Sequence, residues 1–408
     1  MRWISALLAA ALLAACGGNP LLDVGASKRA SVEAEAPVVV FIPGTLASVL
    51  TDSGTGEVIY GGSGGVSVDP TEPRNLRRLS RPLDGSRDAI VATDVLREAE
   101  ESVLLIPVST SIYGEALEGL AAAGLQEAPV GTVPAAGPAL AVFPYDWRGS
   151  VVEAAQALGR VLERRGPGAR KVRIVAHSMG GLVALWYAMH GTADLGPGGT
   201  APPLTWAGAA QVERIVLVGT PLAGSAIALR NTVEGNDLAG PLTETFPPAM
   251  LASHPSTYEL LPREPFVAAD GAALDARRPE TWIERGWGMA DPDQRRAVAA
   301  LGTREQAVAR QSALLERGRA VQAALDRRLA PPRGLEIVAV AGTGNATPAR
   351  LDATPDGIEV SGSEDGDGTV TRLSASPPGL RTVEIEASHL GLVGEPGPFG
   401  TILSLALD

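Results

Sequence analysis

The chain of 408 residues is expected to fold as an α/β protein with a mostly parallel central sheet, an early insertion and a cap domain. Three observations carry this. Short apolar strand-like runs alternate with helical stretches in βαβ order, the pattern of a sheet covered by helices on both faces. The run Val172-Arg173-Ile174-Val175-Ala176-His177-Ser178-Met179-Gly180-Gly181 reads as a buried strand turning sharply into a helix with a serine at its tip. Residues 226–333 break the rhythm, Pro-rich at first and then helical over 292–328, before core strands resume; an inserted cap over a site has this signature.

The elements follow in order. Met1-Arg2 supplies a positive start, 3–12 an apolar run, and Leu13-Ala14-Ala15-Cys16 a small-residue cleavage site of the bacterial lipobox type. Residues 1–15 therefore read as a lipoprotein signal peptide, too short for the roughly 20 residues of a spanning helix. Cys16, the single cysteine, is the expected lipidation site, and 16–36 a lipidated N-terminus and tether. Two acyl chains anchor stably where one does not, so the expected location is the bacterial cell envelope, as a membrane-anchored lipoprotein. Gly17 rather than Asp after the cysteine points to the outer membrane if the host is Gram-negative. Residues 37–225 form the first part of the core: a strand at 37–42, an insertion at about 47–103 rich in Gly, Asp and Ser, a helix at 112–123, a strand at 140–143, a helix at 151–165, the serine strand and helix, and a strand at 212–218. The cap spans 226–333. The second part of the core spans 334–408, with strands at 335–341 and 382–385.

A net charge of -12 argues against nucleic acid as a partner, since phosphate binding needs a basic face. Arg74, Arg77, Arg78 and Arg81 make the one basic cluster. They are spaced to share a helix face if Pro73 starts a helix, which suits a solvated face or contact with phospholipid headgroups.

A serine hydroxyl attacks well only when lifted clear of its neighbours and given a base, and the small residues Ala176 and Gly180 let strand and helix approach closely enough to do this for Ser178. Amides at the start of the following helix can receive negative charge. An acid and a histidine are then required downstream in that order. Of four histidines, His177 sits in the turn with its side chain expected to point away from the site, and His190 ends the following helix. His254 lies in a Pro-rich stretch without strand character. His389 follows the alternating strand Arg381-Thr382-Val383-Glu384-Ile385-Glu386 and is the one histidine placed after a plausible acid. That acid comes from Glu364-Asp365-Gly366-Asp367-Gly368-Thr369-Val370, which lacks full EF-hand spacing; Asp367 is preferred, with Asp365 as its rival. No metal or cofactor is called for.

Several segments, in order over residues 38–400, resemble the lecithin:cholesterol acyltransferase family of α/β-hydrolases, which includes lysosomal phospholipase A2 and bacterial relatives. Val39-Val40-Phe41-Ile42-Pro43-Gly44-Thr45-Leu46-Ala47-Ser48 resembles the family's first core strand and oxyanion loop, and Phe143-Pro144-Tyr145-Asp146-Trp147-Arg148 its "PYDWR" segment. Residues 176–181 resemble its serine turn, Gly219-Thr220-Pro221-Leu222-Ala223-Gly224-Ser225 its "GTP" strand end, Tyr258-Glu259-Leu260-Leu261-Pro262 its "LLP" cap segment, and Gly366-Asp367-Gly368-Thr369-Val370 its acid loop. The resemblance implies Ser178 as nucleophile, Asp367 as acid, His389 as base, and the backbone N–H groups of Leu46 and Met179 as the oxyanion hole. It also implies that Asp146 and Trp147 form pocket rather than catalytic residues; Leu260 and Leu261 of the cap segment are expected to line the acyl site. The chain departs from the animal members in having one cysteine, hence no bracing disulfides, and few aromatic residues between Leu46 and Ser102. The implied activity is serine-dependent hydrolysis of lipid esters, phospholipids foremost, or O-acyl transfer from them. A general carboxylesterase or triacylglycerol lipase with the same triad is the alternative, and a non-catalytic surface lipoprotein that keeps the fold is the alternative of another class.

Overall fold

The computed structural model describes residues 37–62, 69–103, 106–236, 246–264, 266–268, 271, 273–327, 330–354 and 357–408. The expected signal peptide, Cys16 and the expected tether lie outside the described residues. Seven strands form the central sheet: β1 Val38–Ile42, β2 Gln126–Glu127, β3 Ala139–Val142, β4 Val172–His177, β5 Val212–Val218, β6 Glu336–Thr343 and β7 Arg381–Glu386, in the order β7-β6-β5-β4-β1-β3-β2. Every pairing is parallel.

Parallel strands covered on both faces read as continuous apolar runs, and β1, β3 and β4 are buried at every position. At the edge, β7 alternates instead, with Arg381, Glu384 and Glu386 exposed. The helices used below are α1 Pro73–Leu79, α2 Gly114–Ala122, α3 Val151–Glu163, α4 Met179–His190, α5 Pro255–Glu259, α6 Arg304–Leu325 and α7 Pro396–Leu407. Side chains alternate across a strand, so Val38, Val40 and Ile42 of β1 pack with α3 and α4, whereas Val39 and Phe41 pack with α2 and α7. All 12 residues of α4 are buried; the helix lies between the sheet and α6.

Two insertions flank this core. After β1 the chain forms a three-stranded sheet of Ser48–Asp52, Val58–Tyr60 and Ile90–Val95, together with α1. Between β5 and β6 it forms a mostly helical body whose own apolar cluster contains Leu229, Tyr258, Leu261, Trp282 and Trp287. One feature differs from the sequence expectation. The stretch after β6, expected to be core, first makes a long antiparallel hairpin of Asn345–Thr354 and Gly357–Gly366 that stands outside the central sheet. It pairs with Phe266–Ala268 of the helical body, and its Leu351, Ala353 and Ile358 complete that body's cluster.

The basic cluster also differs from expectation. Arg78 pairs with Glu57 at 2.9 Å and Asp52 at 3.3 Å, and Arg74 pairs with Glu57 at 3.2 Å. Arg81 lies beyond the end of α1, buried, and pairs with Asp146 and Glu153, both at 3.2 Å. Carboxylates therefore pair with three of the four arginines; Arg74 and Arg77 stay exposed, and Arg81 does not share their face.

The two insertions are tied to the core by buried polar groups. Arg148 is wholly buried; it meets Asp146 at 2.8 Å and Asp88 at 3.1 Å and donates to the carbonyls of Arg78 and Ser80. Burial disfavours its charge, but the two carboxylates outweigh that and raise its pKa. From the helical body, Glu259 at the end of α5 accepts from Ser150 Oγ at 2.5 Å and from the Val151 N–H at 2.7 Å, capping the first turn of α3. Ser256 Oγ donates to the Trp147 carbonyl. Burial raises the Glu259 carboxyl from 4.5 to about 7, against the two hydrogen bonds. A carboxyl whose pKa is higher folded than unfolded binds its proton more tightly in the native state, so this contribution to stability is complete below pH 4.5 and is lost as pH rises through about 7. In chemical denaturation the parent is expected to lose roughly 3 kcal/mol relative to Glu259→Gln across that window. A parent-minus-variant difference independent of pH would show that Glu259 does not titrate there.

Candidate active site

The register of the parallel sheet brings three loops together. Ile42 of β1 pairs with Ala176, and Val218 of β5 pairs with His177. The loops leaving β1 and β5 therefore emerge on either side of Ser178, at the carboxyl ends of the strands where ligands bind in sheets of this kind. Ser178 follows β4 at φ 53°, and its N–H donates to the Val218 carbonyl at 2.8 Å. Among the described residues three non-glycine positions have positive φ, and two of them are Ser178 and Leu46 (φ 58°). Such backbone costs about 1–3 kcal/mol per residue and concentrates at functional sites.

The loop Pro43-Gly44-Thr45-Leu46 lies against the serine. A Cβ on Gly44 would stand 2.9 Å from Ser178 Cβ, so a larger residue would push the loop away. Three of the chain's five tyrosines hold this loop: Tyr145 Oη donates to the Pro43 carbonyl at 3.1 Å, the Gly44 N–H donates to Tyr113 Oη at 2.8 Å, and Tyr60 Oη donates to the Leu46 carbonyl at 2.6 Å. Among the described residues no acceptor pairs with the Leu46 N–H. Met179 opens α4, where an N–H has no partner within the helix. Two donors are thus available beside Ser178.

Asp367, not Asp365, meets His389: Nδ1–H donates to Oδ2 at 2.7 Å. The other Asp367 oxygen accepts from the N–H groups of Thr369 at 2.9 Å and Val370 at 2.7 Å, and the Asp367 carbonyl accepts from the His389 N–H at 2.8 Å. Burial works against the Asp367 charge, but the hydrogen bond and charge of His389, with the two amides, prevail and lower its pKa. It stays ionised and fixes the proton of His389 on Nδ1, leaving Nε2 as a base. The pair sits at the end of β5, the neighbour of β4, since a Cβ on Gly219, the residue after β5, would come within 3.1 Å of Asp367 Oδ2 and 3.2 Å of His389 Nδ1. Asp365 is exposed; it accepts from the Gly344 N–H and faces Arg372 at 3.6 Å. Among the described residues no hydrogen bond joins Ser178 Oγ to His389, and no cluster of metal-ligating residues occurs.

The other histidines have structural partners. His254 donates from Nε2 to the Leu79 carbonyl at 2.8 Å, and burial lowers its pKa to about 3. His190 donates from Nδ1 to the Pro203 carbonyl. His177 departs from expectation: its ring turns toward the site and lies 4.6 Å from the His389 ring, with Nε2 3.0 Å from the His389 carbonyl.

The expected pocket residues all have partners within the protein. Asp146 is held by Arg148 and Arg81. Trp147 is fully buried, donates from Nε1 to the Ser48 carbonyl, and packs edge-on against Tyr60 and His254. Leu261 is fully enclosed in the helical body's cluster, and Leu260, 8% exposed, packs into the central core. These side chains hold the insertions to the core, because the segment 143–148 is where both insertions converge. Tyr60, Tyr113 and His177 were not anticipated; an isolated tyrosine far from the serine in sequence carries no signal of its own.

Residues 130–285 match the lecithin:cholesterol acyltransferase family. The match spans Ser178 and Met179 and bears out the resemblance over that stretch; Leu46, Asp367 and His389 lie outside it. A search of curated proteins found no match. Among solved structures, the Tle4–Tli4 complex is similar at 13% identity and a TM-score of 0.54, covering 91% of this chain and 99% of that one. Lipase BlEst2 of Bacillus licheniformis in its mature form aligns at 13% identity and a TM-score of 0.36, over 91% and 92% of the two chains. The fold is that of an α/β-hydrolase.

Asp367→Asn is expected to lower ester cleavage by on the order of 10⁴, because the amide frees His389 to take the wrong tautomer. Asp365→Asn, at the surface, should lose far less. Steady-state rates on a soluble chromogenic ester decide between them, and a larger loss at 365 would reject the assignment of Asp367.

Proposed function

We propose that the protein is a serine-dependent lipid ester hydrolase or O-acyltransferase, acting through an acyl-enzyme on Ser178. The observation that carries this reading is the positive-φ serine at the end of β4, flanked by the free Leu46 and Met179 amides and by the Asp367–His389 pair. The family match over 130–285 supports a lipid ester as substrate class, phospholipid foremost.

His389 Nε2 takes the Ser178 hydroxyl proton as Oγ bonds to the ester carbonyl carbon, and the negative charge passes to the carbonyl oxygen, held by the Leu46 and Met179 N–H groups. The bond to the leaving alcohol then breaks, and the proton on His389 goes to that oxygen. Water or an acceptor alcohol gives its own proton to His389 as its oxygen bonds to the acyl carbon; the acyl–Oγ bond then breaks, and His389 returns that proton to Ser178 Oγ. The hydrogen bond from Ser178 to His389 forms as substrate fills the site, since such links are often open without it. Asp367 keeps the imidazolium oriented throughout.

Ser178→Ala is expected to abolish fluorophosphonate labelling and ester cleavage while leaving the unfolding transition intact. Purified parent protein should release fatty acid from phospholipid vesicles, with or without acyl transfer to an added sterol. Cleavage of short soluble esters alone would favour a general carboxylesterase, and a parent that is never labelled would mean a non-catalytic protein keeping the fold.

The expected anchor belongs to the same reading: acylated Cys16 tethers the hydrolase to the cell envelope beside its lipid substrate. Among the described residues no helix is long and apolar enough to cross a membrane. Cys16→Ser is expected to remove fatty-acid labelling and leave an unprocessed precursor. Mass spectrometry of the mature N-terminus reads the cleavage point, and processing anywhere except before Cys16 would reject the anchor.

A further inference from the structure

We infer that Tyr113 and His177 are positioning residues that join the loop 43–46 to His389, through a hydrogen-bonded chain with a single direction from the Gly44 amide to the His389 carbonyl. The inference rests on the reading of His389 as the base.

Donor and acceptor roles leave one assignment. The Gly44 N–H can only donate, so Tyr113 Oη accepts it at 2.8 Å and turns its own proton to the other neighbour, His177 Nδ1, at 2.7 Å. Nδ1 therefore accepts, and the His177 proton resides on Nε2, facing the His389 carbonyl at 3.0 Å. A carbonyl can only accept, which closes the chain. Tyr113 and His177 are each 1% exposed, so water does not compete for these bonds.

The chain has two consequences for His389. Its N–H and Nδ1 are held by Asp367 and its carbonyl by His177, so the backbone and one ring nitrogen are fixed from two sides and Nε2 is the polar atom left for chemistry. His177 is also kept neutral: burial first, then the nearby His389, lower its pKa to about 3. Burial likewise raises the Tyr113 pKa. A neutral ring 4.6 Å from His389 does not oppose the positive charge that His389 gains when it takes the serine proton. The other end of the chain orients the loop that presents the Leu46 amide, so one network sets both the base and one oxyanion donor.

The test compares His177→Gln, His177→Leu and Tyr113→Phe with the parent, with active sites counted by fluorophosphonate titration. Glutamine can accept from Tyr113 through Oε1 and donate to the His389 carbonyl through Nε2; leucine can do neither. His177→Leu is expected to lose about 10-fold to 100-fold in kcat per titrated site and in the labelling rate constant, with KM little changed, as for a misplaced catalytic group. His177→Gln should recover most of that loss, and Tyr113→Phe should fall between them. A second readout needs no substrate. Nitrogen-15 spectra of the four histidines should show His177 protonated on Nε2 alone in the parent, with the Nδ1 shift moved in Tyr113→Phe by loss of its hydrogen bond. Equal kcat in parent and His177→Leu, equal losses in the Gln and Leu variants, or a parent His177 protonated on Nδ1 would each overturn the inference. If the parent were never labelled by fluorophosphonate, the proposed activity would fall, while the tautomer of His177 would still decide the relay.

Discussion

The candidate site depends on how a four-residue loop whose Leu46 amide has no acceptor among the described residues is kept in place at the end of β1. Residues 43–46 leave a strand that is buried along its whole length, and Leu46 adopts a left-handed backbone that costs free energy. Three tyrosine hydroxyls from three different parts of the chain offset this cost by satisfying the loop's carbonyls and the Gly44 amide. Each tyrosine presents one polar atom on a large apolar ring, so it packs into the core and still reaches the backbone. Among the described residues the Leu46 amide has no acceptor, as the proposed oxyanion role requires.

The proposed acid, Asp367, is carried by an element with a double allegiance. Asp367 follows directly on the hairpin 345–366, whose apolar side chains complete the cluster of the helical body rather than that of the central sheet. Ser225 Oγ, at the start of that body, donates to the Thr369 carbonyl at 2.6 Å. The inserted body and the loop that carries Asp367 therefore pack against one another. The segments 143–148 and 258–262 play the complementary part: Arg148 binds the first insertion, and Glu259 caps α3 from the second. Their side chains serve assembly, and they govern the site by fixing the parts that surround it.

Much of the fold was legible in the sequence. Uninterrupted apolar runs at 38–42 and 172–177 announced strands buried on both faces, and the alternating run 381–386 proved to be an edge strand, where alternation is what one exposed side produces. The hairpin 345–366 was not legible as a separate element, because its polar faces carry no periodic core signal and its partner strand lies about 80 residues earlier.

Sequence alone determined the chemical inventory: a serine in a strand-to-helix turn flanked by small residues, one histidine placed after an acidic Gly-rich loop, and an order of segments that resembles one family. Local chemistry suffices there, because a strained turn needs particular residues at adjacent positions. Sequence preferred Asp367 with Asp365 as its rival; that the carboxylate of Asp367 meets His389 while that of Asp365 meets the Gly344 amide is visible only in the tertiary structure. So are the inward turn of His177 and the reach of Tyr60 and Tyr113 to the loop after β1. Those contacts join residues distant in the chain, and only the packing of the sheet against its neighbours sets which polar atoms meet.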